Sequence, residues 1–214
     1  IAYNKNGDSG NVDSIFFPMS RHKSWFDGHS FASGLFPFGN GKSQESSSEA
    51  VNGYFGSYLW ALTKRSAYSD LPATEFIDFT RLLLATEIRG AKIYWHMSPE
   101  RLSDSTQANR LEITTYDYTF QEHFMVGNLG MLDVTSTTWF GDNPVFAHLI
   151  NVLPVTAITP ELFGKRYSKK EYNSSLQNAD IPNAWKGYAT CLHALVDPAA
   201  AWIEAQNLDS TQLD

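Results

Sequence analysis

One cysteine in 214 residues, Cys191, leaves no means of making an internal disulfide or a multi-cysteine metal site. It falls in an apolar stretch, where a buried, inert thiol is expected. His96, His123, His148 and His193 are scattered without ligand spacing, so no metal site is expected. Basic clusters are lacking too, and a net charge of −7 argues against a nucleic-acid partner. No apolar run approaches the roughly 18 residues of a membrane span, so no membrane partner is expected either. Internal repeats and a strong β-hairpin signal are both absent.

Aromatic residues are plentiful at 14 %, and many of the Trp and Tyr stand beside Gly, Asn and Ser. Flat sugar faces stack on such rings while their hydroxyls bond to amides and carboxylates. An ordinary aromatic core explains any single ring as well. Trp25, Tyr54, Trp60, Trp95 and Trp139 are therefore candidate stacking platforms, each weighed against a place in the core.

The length suits one large domain with a substantial core. The first fourteen residues, rich in Asn, Gly, Asp and Ser, read as loop and carry neither an initiator Met nor a signal peptide, so a fragment or processed product is expected. Residues 15 to 44 are punctuated by Gly and Ser and predict loop with short helical or extended pieces. A helix is predicted from near Ser46, where Ser46 and Glu49 form a capping box. Val51, Tyr54, Phe55, Tyr58, Leu59 and Leu62 then follow at helical spacing, and the pattern stops near Thr63, before a loop from Ser66 to Pro72. A second helix, from about Glu75 to Trp95, is apolar nearly all round and predicts burial between neighbours. Its Glu87 and Arg89 are expected to form a buried polar pair. Residues 97 to 122 read as a long, irregular connection.

Asn143-Pro144 opens a short helix through about Val152. Pro154 and Pro160 are expected to break the chain, and the charged run from Lys165 to Glu171 to be a solvated surface. Trp185 to Val196 and Ala199 to Asn207 predict a final helical pair divided at Asp197-Pro198. The fold class is mainly α with long loops at one end of the helices.

The chemistry concentrates around Gln44-Glu45-Ser46-Ser47-Ser48-Glu49. Hydrolysis of a glycoside needs an acid for the leaving oxygen and a base or nucleophile on the opposite face of the sugar. Spacing of i, i+4 puts Glu45 and Glu49 on one side of a helix start, about 5–6 Å apart at Cβ if both are helical. The helix N-terminus favours their ionised forms, while mutual repulsion raises one pKa. Glu49 is equally explained as the third residue of the capping box, and Glu45 as an exposed carboxylate beside the helix dipole. Asp27-Gly28-His29-Ser30 and the Gly39-Asn40-Gly41 turn, just upstream, suit the approach of a ligand. His29 suits either a sugar hydroxyl or a structural hydrogen bond.

The run Trp25-Phe26-Asp27-Gly28-His29-Ser30-Phe31-Ala32-Ser33-Gly34-Leu35, followed by Gln44 to Asn52, resembles glycoside hydrolase family 81, the endo-β-1,3-glucanases. Further segments resemble it in the same order: Leu82 to Arg89, Tyr94-Trp95-His96, Thr138-Trp139-Phe140-Gly141, Leu153-Pro154, Ile158-Thr159 and Trp185-Lys186-Gly187-Tyr188 through Asp197-Pro198 to Trp202. The resemblance implies an inverting hydrolysis of internal β-1,3-glucosidic bonds without metal or cofactor. It implies an (α/α)6 barrel, of which residues 1–214 would be the C-terminal part, the upstream β-sandwich and first barrel helices being absent. It makes Glu45 the base that activates the attacking water and Glu49 its neighbour, aiding that water or tuning the base. The family's general acid belongs to an upstream motif that nothing in Ile1 to Phe17 matches; Asp27 is the nearest substitute. Ser24 stands where the family commonly has Asp, and Phe31 where it usually has Trp. Trp25, His29, Gln44, Asn52, Tyr54, Trp60 and Trp139 are the expected substrate contacts, with β-1,3-glucan as partner and a secreted or wall-associated setting. A protein that binds β-glucan in the same groove without turnover is the alternative.

Overall fold

The computed structural model describes residues 20, 22–25, 29–30, 46–67, 71–92, 96, 143 and 145–211, and of residues 29, 64–67 and 71–73 the backbone alone. Two short strands, β1 (Lys23–Ser24) and β2 (His29–Ser30), pair antiparallel with Lys23 opposite Ser30 and Ser24 opposite His29. Apart from a bridge residue at His96, the other regular structure among the described residues is helical, in keeping with a mainly α class. The strands are a ladder of two residues a side, too short for alternation to reveal in the sequence.

Helix α1 (Ser47–Ala67) and helix α2 (Leu71–Gly90) form a pair joined by residues 68–70. Both extend further into the expected Ser66 to Pro72 loop than the apolar pattern does. Proline costs nothing in the first turn of a helix, where its amide would lack a partner anyway, and Pro72 sits there. The expectation of a fully buried α2 is corrected. Ile77, Phe79, Thr80, Leu83, Leu84, Glu87 and Ala91 are buried, but Asp78, Arg81, Leu82, Ala85 and Arg89 are exposed. The buried positions recur at three and four residues, so α2 shows one face inward and one outward.

Helix α3 (Val145–Leu149) is buried along its whole length. Asn143 starts it by accepting the Val145 amide at 3.0 Å, and its Nδ2 donates to the Asp180 carbonyl at 3.0 Å. Pro160 does not break the chain; it lies in the first turn of helix α4 (Thr159–Leu162). Helix α5 (Lys165–Glu171) corrects a second expectation. Its lysines lie outward, but Tyr167, Ser168 and Glu171 are buried, and a π-helical turn (Tyr172–Leu176) continues it. Helices α6 (Asn183–Ala194) and α7 (Pro198–Gln206) are the expected final pair. Asp197 divides them by accepting the Ala199 and Ala200 amides at 3.1 and 3.0 Å.

One apolar core joins helices α1 to α6, and α7 packs on α6. Val51, Leu83, Leu149, Leu162, Leu176 and Leu192 are its largest fully buried apolar members. Truncating any of these leucines to Ala costs about 2–5 kcal/mol, through lost transfer energy and the cavity left behind. Cys191, expected inside, is exposed. Its neighbour Leu192 takes the inward position, and successive residues on a helix point about 100° apart.

Candidate functional site: the start of helix α1

The first turn of a helix has amides without intrahelical partners. In α1 these are met partly from within and partly from a segment a hundred residues away. Ser46, just ahead of α1, accepts the Glu49 amide on Oγ at 3.1 Å, which is the hydroxyl arm of the capping box. The same hydroxyl donates to the Ile150 carbonyl at 2.6 Å. Ser47 places both its amide and its hydroxyl on Asn151 Oδ1, at 3.0 and 3.2 Å. The Ser48 hydroxyl reaches the carbonyls of Ile150, at 3.3 Å, and of Leu153. One turn later Asn52 Nδ2 donates to the carbonyls of Ser48 and Pro154, each at 2.9 Å, while Oδ1 accepts the Thr156 hydroxyl at 2.5 Å. Asn151 is held in turn by donating from Nδ2 to the Ala147 carbonyl at 3.0 Å.

These bonds divide the motif by function. Ser46, Ser47 and Ser48 are all buried, and their hydroxyls are spent on holding α1 to residues 150–153. Glu49, in the same turn, is exposed. The sequence thus presents one carboxylate to solvent from a helix start whose position is set by side chains beneath it.

A second anchorage holds the two-stranded segment. Lys23 is 3 % exposed and donates from Nζ to Glu87 Oε2 at 2.5 Å and to Thr86 Oγ1 at 3.3 Å. Burying an ammonium and a carboxylate is costly unless they meet, and here they do. The expected Glu87–Arg89 pair is therefore corrected. Positions two apart do not share a helix face, and Arg89 is exposed while Glu87 faces inward. Lys23 Nζ also lies 5.3 Å from the centre of the Tyr54 ring and 5.7 Å from that of Trp25, within cation–π range. The Tyr54 hydroxyl meets His22 Nε2 at 2.8 Å. Burial, and then the negative charge of Glu87, raise the Tyr54 pKa and keep that hydroxyl protonated.

Of the expected site residues, Glu49, Asn52, Tyr54, Trp25, Trp60 and the backbone of His29 are described. Glu45, Asp27, Gln44 and Trp139 lie outside the described residues, as does Trp95. Trp25 and Trp60 are 42 % and 55 % exposed, leaving ring surface available for contact, and Trp60 meets Phe76 edge-on at 5.5 Å. Tyr54 is 6 % exposed and belongs to the core, because its hydroxyl and ring already have His22 and Lys23 as partners. Asn52 spends both amide atoms on the 154–156 segment, so it braces the helix start. His29 pairs with Ser24 across the strands. Asn151 and Lys23 were not singled out from the sequence. A lone Glu in an apolar helix did signal a buried partner, but Lys23 is 64 residues away. Among the described residues no helix is long and apolar enough to cross a membrane, and no cluster of three metal-ligating side chains occurs.

Comparison with known proteins agrees with the motif. Residues 6–214 match the model of the glycosyl hydrolase family 81 C-terminal domain. A glucan endo-1,3-beta-D-glucosidase of Acetivibrio thermocellus is 30 % identical over 191 residues, 86 % of this chain and 22 % of that protein. Glucan endo-1,3-beta-D-glucosidase 2 of Saccharomyces cerevisiae is 29 % identical over 188 residues, 87 % of this chain and 22 % of its own length. The primary septum glucan endo-1,3-beta-D-glucosidase of Schizosaccharomyces pombe is 24 % identical over 189 residues, covering 87 % of this chain and 17 % of that protein. The chain thus spans about a fifth of the length of these relatives. Matched over nearly all of its own length, the chain belongs to glycosyl hydrolase family 81, in the part that forms the family's C-terminal domain.

Proposed function

We propose that this chain contributes the base side of an active site that hydrolyses internal β-1,3-glucosidic bonds by an inverting acid–base mechanism. The observation that carries the reading is Glu49. It is an exposed carboxylate in the first turn of α1, on a helix start braced by buried hydrogen bonds, in a chain of this family. Glu45 is the base that takes a proton from the attacking water, and Glu49 assists that water or tunes its neighbour. Inversion asks for about 6.5–9.5 Å between acid and base, so that water fits between base and sugar. The general acid comes from outside these residues, with Asp27 as the substitute within them. Trp25, Trp60 and Trp139 stack on glucose rings, while His29 and Gln44 bond to hydroxyls. No metal or cofactor takes part. The helices are a portion of an (α/α)6 barrel. The relative named for the primary septum supports a secreted or wall-associated setting.

The test follows new reducing ends from linear β-1,3-glucan with the protein carrying this chain. Glu45→Gln is expected to lower kcat by about 10²–10⁴-fold, the range of general-base catalysis, with glucan still bound. The first product is expected as the α-anomer when followed by NMR. Unchanged turnover in Glu45→Gln would remove the assignment, and a β-anomeric product would remove inversion. Binding without any release would establish the recognition protein instead.

A further inference from the structure

We propose that Asn151 is a positioning residue for Glu49, the carboxylate in the first turn of α1, an inference that rests on the functional reading above. Asn151 is fully buried, in the turn that follows α3. Its Oδ1 receives two bonds from Ser47, one from the backbone and one from the side chain. The amide group is the right chemistry for that place. One end accepts from Ser47 while the other donates to the Ala147 carbonyl, so Asn151 ties the first turn of α1 to the last turn of α3. An aspartate there would turn a carboxylate oxygen toward a carbonyl, and an alanine would leave the Ser47 amide unmet in the interior.

The tie matters because Ser47 opens α1 and Glu49 belongs to the turn that Asn151 holds down. Ordinary caps are local and move with their helix. Here the local Ser46 cap is joined by a side chain 104 residues away in sequence, rooted in a helix that is wholly buried. The height and rotation of the first turn are consequently set by the core beneath it, as an inverting site requires of a carboxylate that helps hold the attacking water in place.

The experiment compares wild type, Asn151→Ala, Ser47→Ala and Glu45→Gln in the protein carrying this chain, on linear β-1,3-glucan, well below each thermal midpoint. Asn151→Ala is expected to lower kcat by about 10²-fold with KM within about twofold, and to displace the acid limb of the pH–rate profile. Ser47→Ala keeps the backbone bond to Oδ1 and is expected to lose only about 3–10-fold in kcat, so it reports even if Asn151→Ala folds poorly. A merely structural role would lower the midpoint and leave kcat and the pH profile of the folded protein unmoved. Wild-type kcat and pH profile in folded Asn151→Ala and Ser47→Ala, with Glu45→Gln inactive, would overturn the proposal and leave the functional reading standing. Full activity in Glu45→Gln would overturn both.

Discussion

Two buried polar regions of this chain are handled in opposite ways. At the start of α1, the side-chain oxygens of Ser46, Ser47, Ser48, Asn52 and Asn151 all have hydrogen-bond partners. Around α5 the matching is incomplete. Among the described residues, both ring nitrogens of His96, the Tyr167 hydroxyl, Glu171 Oε2 and the Thr190 hydroxyl have none. His96 lies stacked on Tyr167, ring centres 4.1 Å apart, and on Phe163 at 5.3 Å, as a flat ring among flat rings. His148 meets Glu171 at 2.5 Å. Unmatched polar atoms weaken a fold without aiming anything, whereas fully matched ones fix a geometry. The matched region lies beneath the exposed carboxylate; the unmatched one lies in the interior.

Breaking the His148–Glu171 link of the α5 region should show the largest effect. Glu171→Leu leaves His148 buried without its carboxylate and is expected to cost about 3 kcal/mol in urea unfolding. Glu171 holds His148 on α3, whose carbonyl also accepts the Asn151 amide, while the side-chain bonds of Asn151 run to Ser47 and Ala147. The kcat of the folded variant is expected to match wild type, and a fall in kcat at full folding would merge the two regions into one.

The pH dependence of stability sharpens the contrast next. Burial, and then the charge of Lys92, push the His96 pKa down to about 3. Its folded value lies below the unfolded one, so its contribution is complete above about 6.5 and is lost as pH falls toward 3. Burial also opposes the charge on His148, but the charge and hydrogen bond of Glu171 outweigh it and raise the pKa. That contribution is complete below about 6.5 and is lost as pH rises through the folded value. His96→Phe should therefore flatten the acid side of a stability–pH curve, and His148→Gln the alkaline side. Identical curves for the two variants would contradict the assignment.

The smallest effect has the most telling sign. Thr190→Val removes a buried hydroxyl that has no partner and is expected to be neutral or to stabilise by up to about 1 kcal/mol, whereas Ser47→Ala removes a matched one and should destabilise by about 1 kcal/mol. Thermal midpoints moving in the same direction would erase the distinction between the regions.

Much of the helical framework is legible because its ends carry chemical punctuation. Ser46 and Glu49 mark the start of α1, and Asp197 with Pro198 marks that of α7. What is hidden depends on contacts distant in sequence or on mixed faces. The run from Lys165 to Glu171 reads as surface because four of its seven residues are basic; the helix turns Tyr167 and Glu171 inward and the lysines outward. Glu87 advertises a buried partner without naming it, since Lys23 is joined to it only by the fold. At the site itself, the carboxylates and serines are legible as a motif. The division between them is not, because it comes from Ile150, Asn151 and Leu153.

The bonds from Ser46, Ser47 and Ser48 to residues 150–153 also bear on the order in which the molecule is made. They join partners more than a hundred residues apart, so loop closure over that span comes before any of them can form. A chain emerging from the ribosome can wind α1 and α2 on each other early, since only residues 68–70 separate them. Its carboxylate turn is left unbraced until Asn151 has been synthesised and docked. Assembly of the site is thereby a late event, and a chain stalled short of that residue carries the motif without the brace beneath it.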